Sequence, residues 1–379
     1  MDLSPYIEGI KATGYPFENW AAEQLLSAKW QIISNRYYVD DDENKAREID
    51  IVAYKASSHD DFDLRTVIII SCKKSEQHHW AFLSRKANID DPNANWKPVH
   101  FWSNYKPISF QIEQDEWAAE YHDRIIKSGV SGLLDQPDYD VFAFQEMYSG
   151  TSQNGKKLGA ARNDTNIYAS VMSAIKAQLY EMSVRSTSVR KKPTIYQFNL
   201  LCLADAKFIQ MKFNGDEIQA LELQSLIYIA RNVVNRKQVT ARVVFSTKEN
   251  FQKILSQYNM LHVENKKILK EKNEEFFKKI EKSQEKLKIF YEPFRAELRR
   301  ILIVRKNGLD FSDIEKRVKS ATLFWDKDAG KLKILLNDDD LETDLEKYNN
   351  PVNVAPIKDL LKKIYRYEGD FEFGLDILF

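Results

Sequence analysis

The most constraining feature of the sequence is the run VIIISCKKS, residues 67–75, in which four apolar residues precede Ser-Cys-Lys-Lys. Because the side chains of a strand alternate between its two faces, the run Val-Ile-Ile-Ile is apolar on both faces. Such a strand is typical of the buried centre of a sheet. Ser71 and Lys73 share one face at its end, and Cys72 lies on the other. The pattern predicts a central buried strand that delivers polar groups to the edge of a core.

A second strand is predicted upstream, in REIDIVAYK, residues 47–55. Alternation puts Ile49 and Ile51 on one face and Asp50 on the other. If the two strands pair, the Asp50 carboxylate and the Lys73 ammonium group stand side by side. Charged groups are costly to bury unless they are paired or bind a metal ion. The pattern fits either a hairpin that ends in a salt bridge or a site with a chemical function.

Before these strands, GYPFENWAAEQLLSAKW, residues 14–30, has the apolar spacing of an amphipathic helix. Its proline suits the first turn. At about 100° per residue, Glu18 lies on the apolar side with Ala21 and Leu25, whereas Glu23 lies about 140° away from Glu18. We therefore expect Glu18 to face the core and Glu23 to face solvent. The predicted order of the first elements is a helix followed by three strands.

Composition divides the 379 residues into two predicted domains. Residues 1–260 mix helical and strand patterns and predict an α/β domain. Residues 261–379 contain a long charged helix at 264–290, whose thin apolar stripe is typical of a helix edge that packs on a core. A small α/β or winged-helix-like unit is expected to follow. The second domain is thus predicted to be a mainly helical, charged module.

The bulk composition limits the class of protein. The 56 basic and 56 acidic residues cancel, so the net charge neither supports nor excludes a polyanionic partner. The two cysteines lie in apolar segments, which predicts a reducing compartment without disulfides. No apolar segment approaches the ~18 residues of a membrane helix, and the start, MDLSPYIEGIK, lacks the pattern of a signal peptide. We expect a cytoplasmic protein without membrane contact.

The charged groups of the helix and the two strands suit a divalent cation. Glu18 and Asp50 would supply oxygen ligands, the carbonyl of Cys72 another, and Lys73 would lie beside a metal-bound water. Hard cations such as Mg²⁺ take oxygen ligands and keep several waters. Such an ion acidifies a water and neutralises the charge that builds on a phosphoryl group.

These segments resemble the PD-(D/E)XK, or restriction-endonuclease-like, nuclease superfamily, and more narrowly its Mrr- and resolvase-like branches. Members begin with a helix that carries a glutamate, continue with a strand that reads roughly EID, and end with (D/E)-x-K on the next strand. Glu18, Asp50 and residues 71–73 occupy these places, the last only in part. TNIYASVMSAIKAQLYE and IYQFNLLCLAD fit the helix and strand that follow.

The resemblance implies a fold, an activity and partners. The fold would be α/β, with a restriction-endonuclease-like mixed central sheet flanked by helices. The activity would be that of an endonuclease dependent on Mg²⁺ or Mn²⁺ that hydrolyses phosphodiester bonds of DNA, in bacterial restriction or anti-phage defence. Its catalytic residues would be Glu18, Asp50, Ser71 and Lys73.

Ser71 departs from the family pattern, which has an acid at this place. A hydroxyl group is a weak, neutral ligand. Some family members with a serine there recruit an acid from the next helix, and Glu76 would be this further metal ligand. Alternatively, the domain is catalytically impaired and binds nucleic acid or a partner protein. A third class is a structural subunit that self-associates through the helix at 264–290, so a homo-oligomer and a defence-system partner both remain open.

Overall fold

The computed structural model describes residues 1–40, 45–91, 94–150, 157–185, 192–234, 236–305, 310–336 and 345–375. They divide into two compact units, Met1–Lys270 and Glu271–Phe379. The sequence predicted a boundary near residue 260, somewhat earlier than this division.

In the described part of the first unit, the helices are α1 (Ser4–Lys11), α2 (Tyr15–Ser27), α3 (Lys106–Ile112), α4 (Trp117–Lys127), α5 (Thr165–Arg185) and α6 (Phe251–Phe277), which continues past Lys270. The strands are β1 (Gln31–Ile33), β2 (Arg36–Asp40), β3 (Lys45–Ile49), β4 (Ile51–Ser58), β5 (Asp63–Lys74), β6 (His78–Lys86), β7 (His100–Ser103), β8 (Tyr139–Tyr148), β9 (Thr194–Asp205), β10 (Phe208–Asn214), β11 (Glu217–Leu223), β12 (Ser225–Val234) and β13 (Lys237–Thr247).

The main sheet has the strand order β1-β4-β5-β9-β13-β12, and β7 also pairs with β9. β5 lies at its centre, antiparallel to β4 and parallel to β9. On one face of β5, Ile68 and Ile70 join the core that includes α2 and α6. On the other face, Val67 and Ile69 join the core that includes α5. The predicted central strand, buried on both faces, is therefore confirmed, as is a mixed sheet flanked by helices.

The strand predicted at residues 47–55 is interrupted at Asp50, which forms a bend. β3 ends before it and pairs with β2, whereas β4 begins after it and pairs with β5. Ile49 joins the core on the α5 side, and Ile51 joins the core on the α2 side. The prediction that these two residues share one face is wrong, because the chain changes sheets at Asp50.

The helix and strand predicted after the motif are confirmed as α5 and β9. α5 buries one face, with Val171 and Ile175 among its core residues, on the side of the sheet where Val67 lies. A separate four-stranded sheet, β11-β10-β6-β8, adds aromatic residues to the same core, including Phe82 and Phe208. One face of α5 is thus buried in this core, and its other face is not part of the core.

The described elements of the second unit are a 3₁₀ turn (Ile280–Lys282), α7 (Gln284–Lys288), α8 (Tyr291–Arg305), α9 (Phe311–Lys319), β14 (Thr322–Asp326), β15 (Lys331–Leu336), α10 (Leu345–Tyr348), α11 (Pro351–Tyr365) and β16 (Phe371–Leu375). The three strands form one sheet in the order β14-β15-β16. The second unit therefore combines helices with a small sheet.

The single charged helix predicted at 264–290 has the wrong bounds. α6 begins earlier and ends earlier, and Lys279 then has a left-handed φ of 56°. Ser283 caps the next helix, α7, with its side chain. Phe276 and Leu287, two residues of the predicted apolar stripe, are buried within the chain. This part of the stripe is therefore not an exposed surface for self-association.

Two further predictions concern the whole chain. Within the described ranges, no helix has both the length and the apolar character needed to span a membrane. Cys72 and Cys202 are both buried and carry free thiols.

His122 makes the stability of the first unit sensitive to acid. This side chain of α4 is 1% exposed, and its Nδ1 lies 3.1 Å from the carbonyl oxygen of Leu134. Burial, together with the charge of Arg242, lowers its pKa to about 4. An unfolded chain protonates histidine near pH 6.5. Because the unfolded state binds more protons between these values, the contribution of His122 is complete above pH 6.5 and is lost as the pH falls toward 4.

We expect His122 to account for a loss of about 2 kcal/mol of unfolding free energy at pH 5. His122→Gln removes the titration and keeps a donor for the Leu134 carbonyl. Its melting temperature should therefore fall less than that of the wild type between pH 7 and pH 5. Thermal melts over this range test the expectation, and an equal fall in both proteins would rule His122 out as the cause.

Candidate active site

Asp50 lies where β4 would otherwise continue alongside β5. In the β4–β5 register Ile51 faces Ile70, so the next pair along the strands would be Asp50 and Ser71. At this point Asp50 Oδ2 accepts the backbone N–H of Cys72 at 2.7 Å and the hydroxyl of Ser71 at 3.3 Å. Because a buried backbone N–H needs an acceptor, this bond holds the carboxylate at the strand edge.

Lys73 extends from the same face of β5 as Ser71, and its Nζ lies 3.6 Å from Asp50 Oδ2. The Asp50 side chain is 16% exposed and the Lys73 side chain 33%, so the pair lies at the edge of the core. The backbone N–H, the hydroxyl and the ammonium group all approach Oδ2. Among the residues that the structure describes, none makes a hydrogen bond or ion pair with Oδ1. That oxygen is available to a further ligand.

Glu18 lies in the first turn of α2 and is half-buried. Burial and the negative charge of Asp50 raise the pKa of the Glu18 carboxyl group, an effect that Lys73 opposes and Glu48 increases. Glu18 is therefore close enough to Asp50 for their charges to interact. Glu23, in the same helix, is exposed. The prediction that Glu18 faces the core side of α2 and Glu23 faces solvent is therefore confirmed.

Cys72 contributes its backbone N–H to Asp50. Its side chain lies on the opposite face of β5, in the core that includes α2, where burial raises the pKa of the thiol well above its usual value. The thiol is consequently held in its neutral form. A ligand role for the Cys72 carbonyl stays a prediction.

Glu76 is not brought to this cluster. Its Oε1 lies 2.6 Å from the Nζ of Lys74, and its side chain is 70% exposed. Lys74 follows Lys73 on β5, so the two lysines extend from opposite faces of the strand. In this arrangement Glu76 does not replace the acid that the family pattern places at Ser71.

A cavity of about 540 Å³ opens beside Asp50 and Lys73. One wall is the β2–β3 hairpin and the other is the first half of α5. Three cations and two carboxylates line it, so it is strongly charged. The lining residues are Tyr38, Arg47, Glu48, Asp50, Lys73, Tyr168, Ala169, Met172, Ser173 and Lys176.

A buried ion pair joins the two walls. Glu181 of α5 is fully buried; its Oε1 lies 2.5 Å from the Nε of Arg36 on β2, and its Oε2 pairs with Arg185. Nearby, the rings of Tyr38 and Tyr180 pack with their centroids 5.6 Å apart. Removing one partner of a buried ion pair is strongly unfavourable. The contact therefore holds the hairpin against α5 and fixes the separation of the cavity walls.

Sequence reasoning did not identify the cavity walls as part of the site. The sequence could have identified Glu48 as a site residue, because it precedes Asp50 by two residues and strand alternation puts both carboxylates on one face. The indication for α5 was weaker. Tyr168, Met172 and Lys176 recur every fourth residue, so they lie on one side of the helix, but this spacing alone does not show that the side lines a cavity.

The donor set suits a cation that is only partly held by the protein. Among the described residues, no group of three or more His, Cys, Asp or Glu side chains is arranged to bind a metal ion. The two protein groups best placed to bind a cation are the Glu18 carboxylate and the available Oδ1 of Asp50. One or two carboxylates, several waters and the phosphates of a substrate are a common ligand set for Mg²⁺. The residues therefore fit such an ion, although Glu18, Asp50 and Glu76 are not assembled as the predicted set.

Comparison with known proteins does not assign the chain to a family. No family model, no curated protein and no solved structure matches it.

Proposed function

We propose that the protein is a divalent-metal-dependent nuclease that hydrolyses phosphodiester bonds of DNA. The observation that carries the proposal is the convergence of Ser71 and Lys73 on the Asp50 carboxylate, with Glu18 beside it and a polar cavity in front. Grouping charged residues at the edge of an apolar core is costly. A carboxyl group whose pKa is raised by burial and by a specific charged neighbour, as for Glu18, is typical of functional sites.

The order of elements around the cluster supports the proposal. α2 carries Glu18 and is followed by β1, β4 and β5, which pair as antiparallel neighbours. α5 and then β9 come later, and β9 pairs parallel to β5. The glutamate helix, the two motif strands, and the later helix and strand occur in the order that the resemblance implies, with further elements between them. The finer assignment to a restriction-endonuclease-like fold belongs to the proposal.

Each residue of the cluster has a role in the proposed reaction. Glu18 and the available oxygen of Asp50 would hold the divalent cation. The bound cation supplies Lewis-acid stabilisation and lowers the pKa of water. Lys73, fixed by Asp50, stabilises the negative charge that develops on the phosphoryl oxygens and orients the attacking water. Ser71 and the Cys72 N–H hold the Asp50 carboxylate in position.

Incubation with supercoiled plasmid tests the proposal. Nicking or linearisation should require Mg²⁺ or Mn²⁺, and EDTA should stop it. Lys73→Met keeps the apolar stem of the side chain and removes its charge, so it should slow cleavage about 10²-fold or more. Equal cleavage by the wild type and Lys73→Met would indicate a contaminating nuclease. The setting in bacterial restriction or anti-phage defence stays a prediction.

Glu18→Gln and Glu23→Gln form a matched pair in one helix. We expect Glu18→Gln to reduce metal-dependent cleavage about 100-fold, because it removes one of the two carboxylates proposed to hold the cation. Glu23→Gln should leave the rate unchanged, since Glu23 is exposed and away from Asp50. Initial rates on plasmid at several Mg²⁺ concentrations provide the measurement. A larger loss from Glu23→Gln would place the wrong side of α2 at the site.

A second function is favoured by one specific observation. Ser71 supplies a hydroxyl where the resembled family has a carboxylate, and among the described residues no group of three or more acidic, His or Cys side chains is arranged to bind a metal ion. A domain with this donor set would bind nucleic acid or a partner protein without cleaving DNA. Binding of DNA together with no cleavage at millimolar Mn²⁺ would favour this alternative.

A further inference from the structure

The exposed tyrosines of the chain lie on elements that line the cavity or pack near its charged cluster. Of its 18 tyrosines, four are exposed. α2 carries Glu18, β2 and α5 line the cavity, and α1 packs on α2. An exposed aromatic ring is an apolar surface that nothing in the protein covers. The four are Tyr6 of α1, Tyr15 of α2, Tyr37 of β2 and Tyr168 of α5, with exposures of 66%, 62%, 57% and 50%.

One of these rings lines the cavity, and a second lies beside a residue that does. Tyr168 lines the cavity on the α5 wall. Tyr37 pairs with Glu48 across the β2–β3 hairpin, so their side chains share a face. Glu48 also lines the cavity, and its charge raises the pKa of the Tyr37 hydroxyl. The ring of Tyr168 therefore lies on the α5 wall of the cavity, and the exposed ring of Tyr37 lies on the hairpin beside Glu48, at the rim of that cavity.

Cations lie on both walls of the cavity. Arg47 belongs to the hairpin wall and Lys176 to the α5 wall, while Lys73 lies between them at the end of β5. Phosphate groups of nucleic acids are bound by Lys and Arg. Exposed aromatic rings beside cations form the usual surface for single strands, because each unpaired base can stack on a ring. In a duplex the bases are already stacked on one another and cannot reach such rings.

We infer that the cavity binds single-stranded nucleic acid, with unpaired bases stacking on Tyr37 and Tyr168. Arg47 and Lys176 contact the phosphates on either side of the one that reacts. The inference rests on the proposed function for its chemistry: the substrate of the nuclease is a single strand or a single-stranded extension of a duplex. The binding of a single strand can be measured in the absence of cleavage.

Fluorescence anisotropy in EDTA measures this binding with the full chain. The probes are a labelled DNA of mixed sequence, about 20 nucleotides long, and the same strand annealed to its complement. We expect the single strand to bind at least tenfold more tightly than the duplex. Tyr168→Ala and Tyr37→Ala should each weaken it about five- to hundredfold, the range for loss of one stacked base. Tyr168→Phe should bind as the wild type does, because the ring is kept.

Two further variants separate stacking from charge. Phe311→Ala removes an exposed ring of the second unit, 57% exposed, and should leave binding unchanged. Lys176→Ala should reduce the dependence of log affinity on log salt by about 0.7, the value for one phosphate contact of a single strand. The tyrosine variants should keep the salt dependence of the wild type.

The outcomes distinguish this inference from the proposed function. Equal or tighter binding of the duplex, or no effect of Tyr168→Ala, would overturn the inference while plasmid cleavage could still stand. Tight binding of single strands without cleavage under any metal condition would support the inference and contradict the catalytic proposal. Absence of binding to either probe, together with no cleavage, would reject both.

Discussion

Asp50→Asn is expected to reduce metal-dependent cleavage about 10³-fold while the fold stays intact. The amide has no negative charge, so it is a poor ligand for a hard cation and a poor partner for Lys73. Its carbonyl oxygen can still accept the backbone N–H of Cys72, which is the bond that fixes this position at the strand edge. The melting temperature should therefore change by no more than about 4 °C, equivalent to roughly 1 kcal/mol.

Asp50→Ala is the informative companion to this variant. It should lose cleavage to the same extent, but it also leaves the Cys72 N–H without an acceptor, at a cost of about 1–3 kcal/mol. Initial cleavage rates and thermal melts on both variants separate the chemical role of the carboxylate from its structural one. Cleavage at the wild-type rate by Asp50→Asn would show that the reaction occurs elsewhere.

The parts of the fold that sequence predicted are those governed by local periodicity. The run around Ile68 and Ile69 is apolar on both faces, and only the centre of a sheet buries such a strand. The phase of α2 separated Glu18 from Glu23 because a helix turns by a fixed angle per residue. The pairing of Asp50 with Lys73 followed from these local patterns and is present in the structure.

The parts that sequence did not predict depend on contacts between distant segments. Alternation continues through REIDIVAYK, but the chain changes sheets at Asp50, and nothing local in the pattern marks that change. The buried pair of Arg36 with Glu181 joins a hairpin to a helix far along the chain, so the cavity walls were not visible in either segment alone. Glu76 was a candidate by proximity in sequence, yet Lys74 on the other face of β5 attracts it.

Ser71→Asp is expected to make the stability of the first unit depend on divalent metal. The Ser71 side chain is 3% exposed and donates a hydrogen bond to Asp50 Oδ2. A carboxylate in its place adds a second negative charge against Asp50 at a nearly buried position. An uncompensated buried charge costs about 3 kcal/mol or more, so the metal-free variant should melt well below the wild type. Because repulsion raises the pKa of the pair, the defect should shrink as the pH falls and one carboxyl group is protonated.

A cation bound between the two carboxylates would offset this loss. At a metal concentration of about 100 times the Kd, binding contributes about 2.7 kcal/mol to the free energy of unfolding. Thermal melts of Ser71→Asp in EDTA and in millimolar Mg²⁺ or Mn²⁺ should therefore differ by several degrees. Ser71→Asn, of nearly equal size and without charge, should not respond to metal.

The same experiment decides whether another group replaces the acid that the resembled nuclease family has at the position of Ser71. If Glu76 turns toward the site when metal is present, Glu76→Gln should lose cleavage, and the added carboxylate of Ser71→Asp should crowd the cation. If Glu76 stays with Lys74, as its 2.6 Å contact favours, Glu76→Gln should cleave at the wild-type rate and Ser71→Asp should need less Mg²⁺. Should metal leave the melting temperature of Ser71→Asp unchanged while the wild type cleaves nothing, the carboxylates hold no cation. The cluster of Asp50 and Lys73 would then belong to a domain that binds nucleic acid or a partner protein without catalysis.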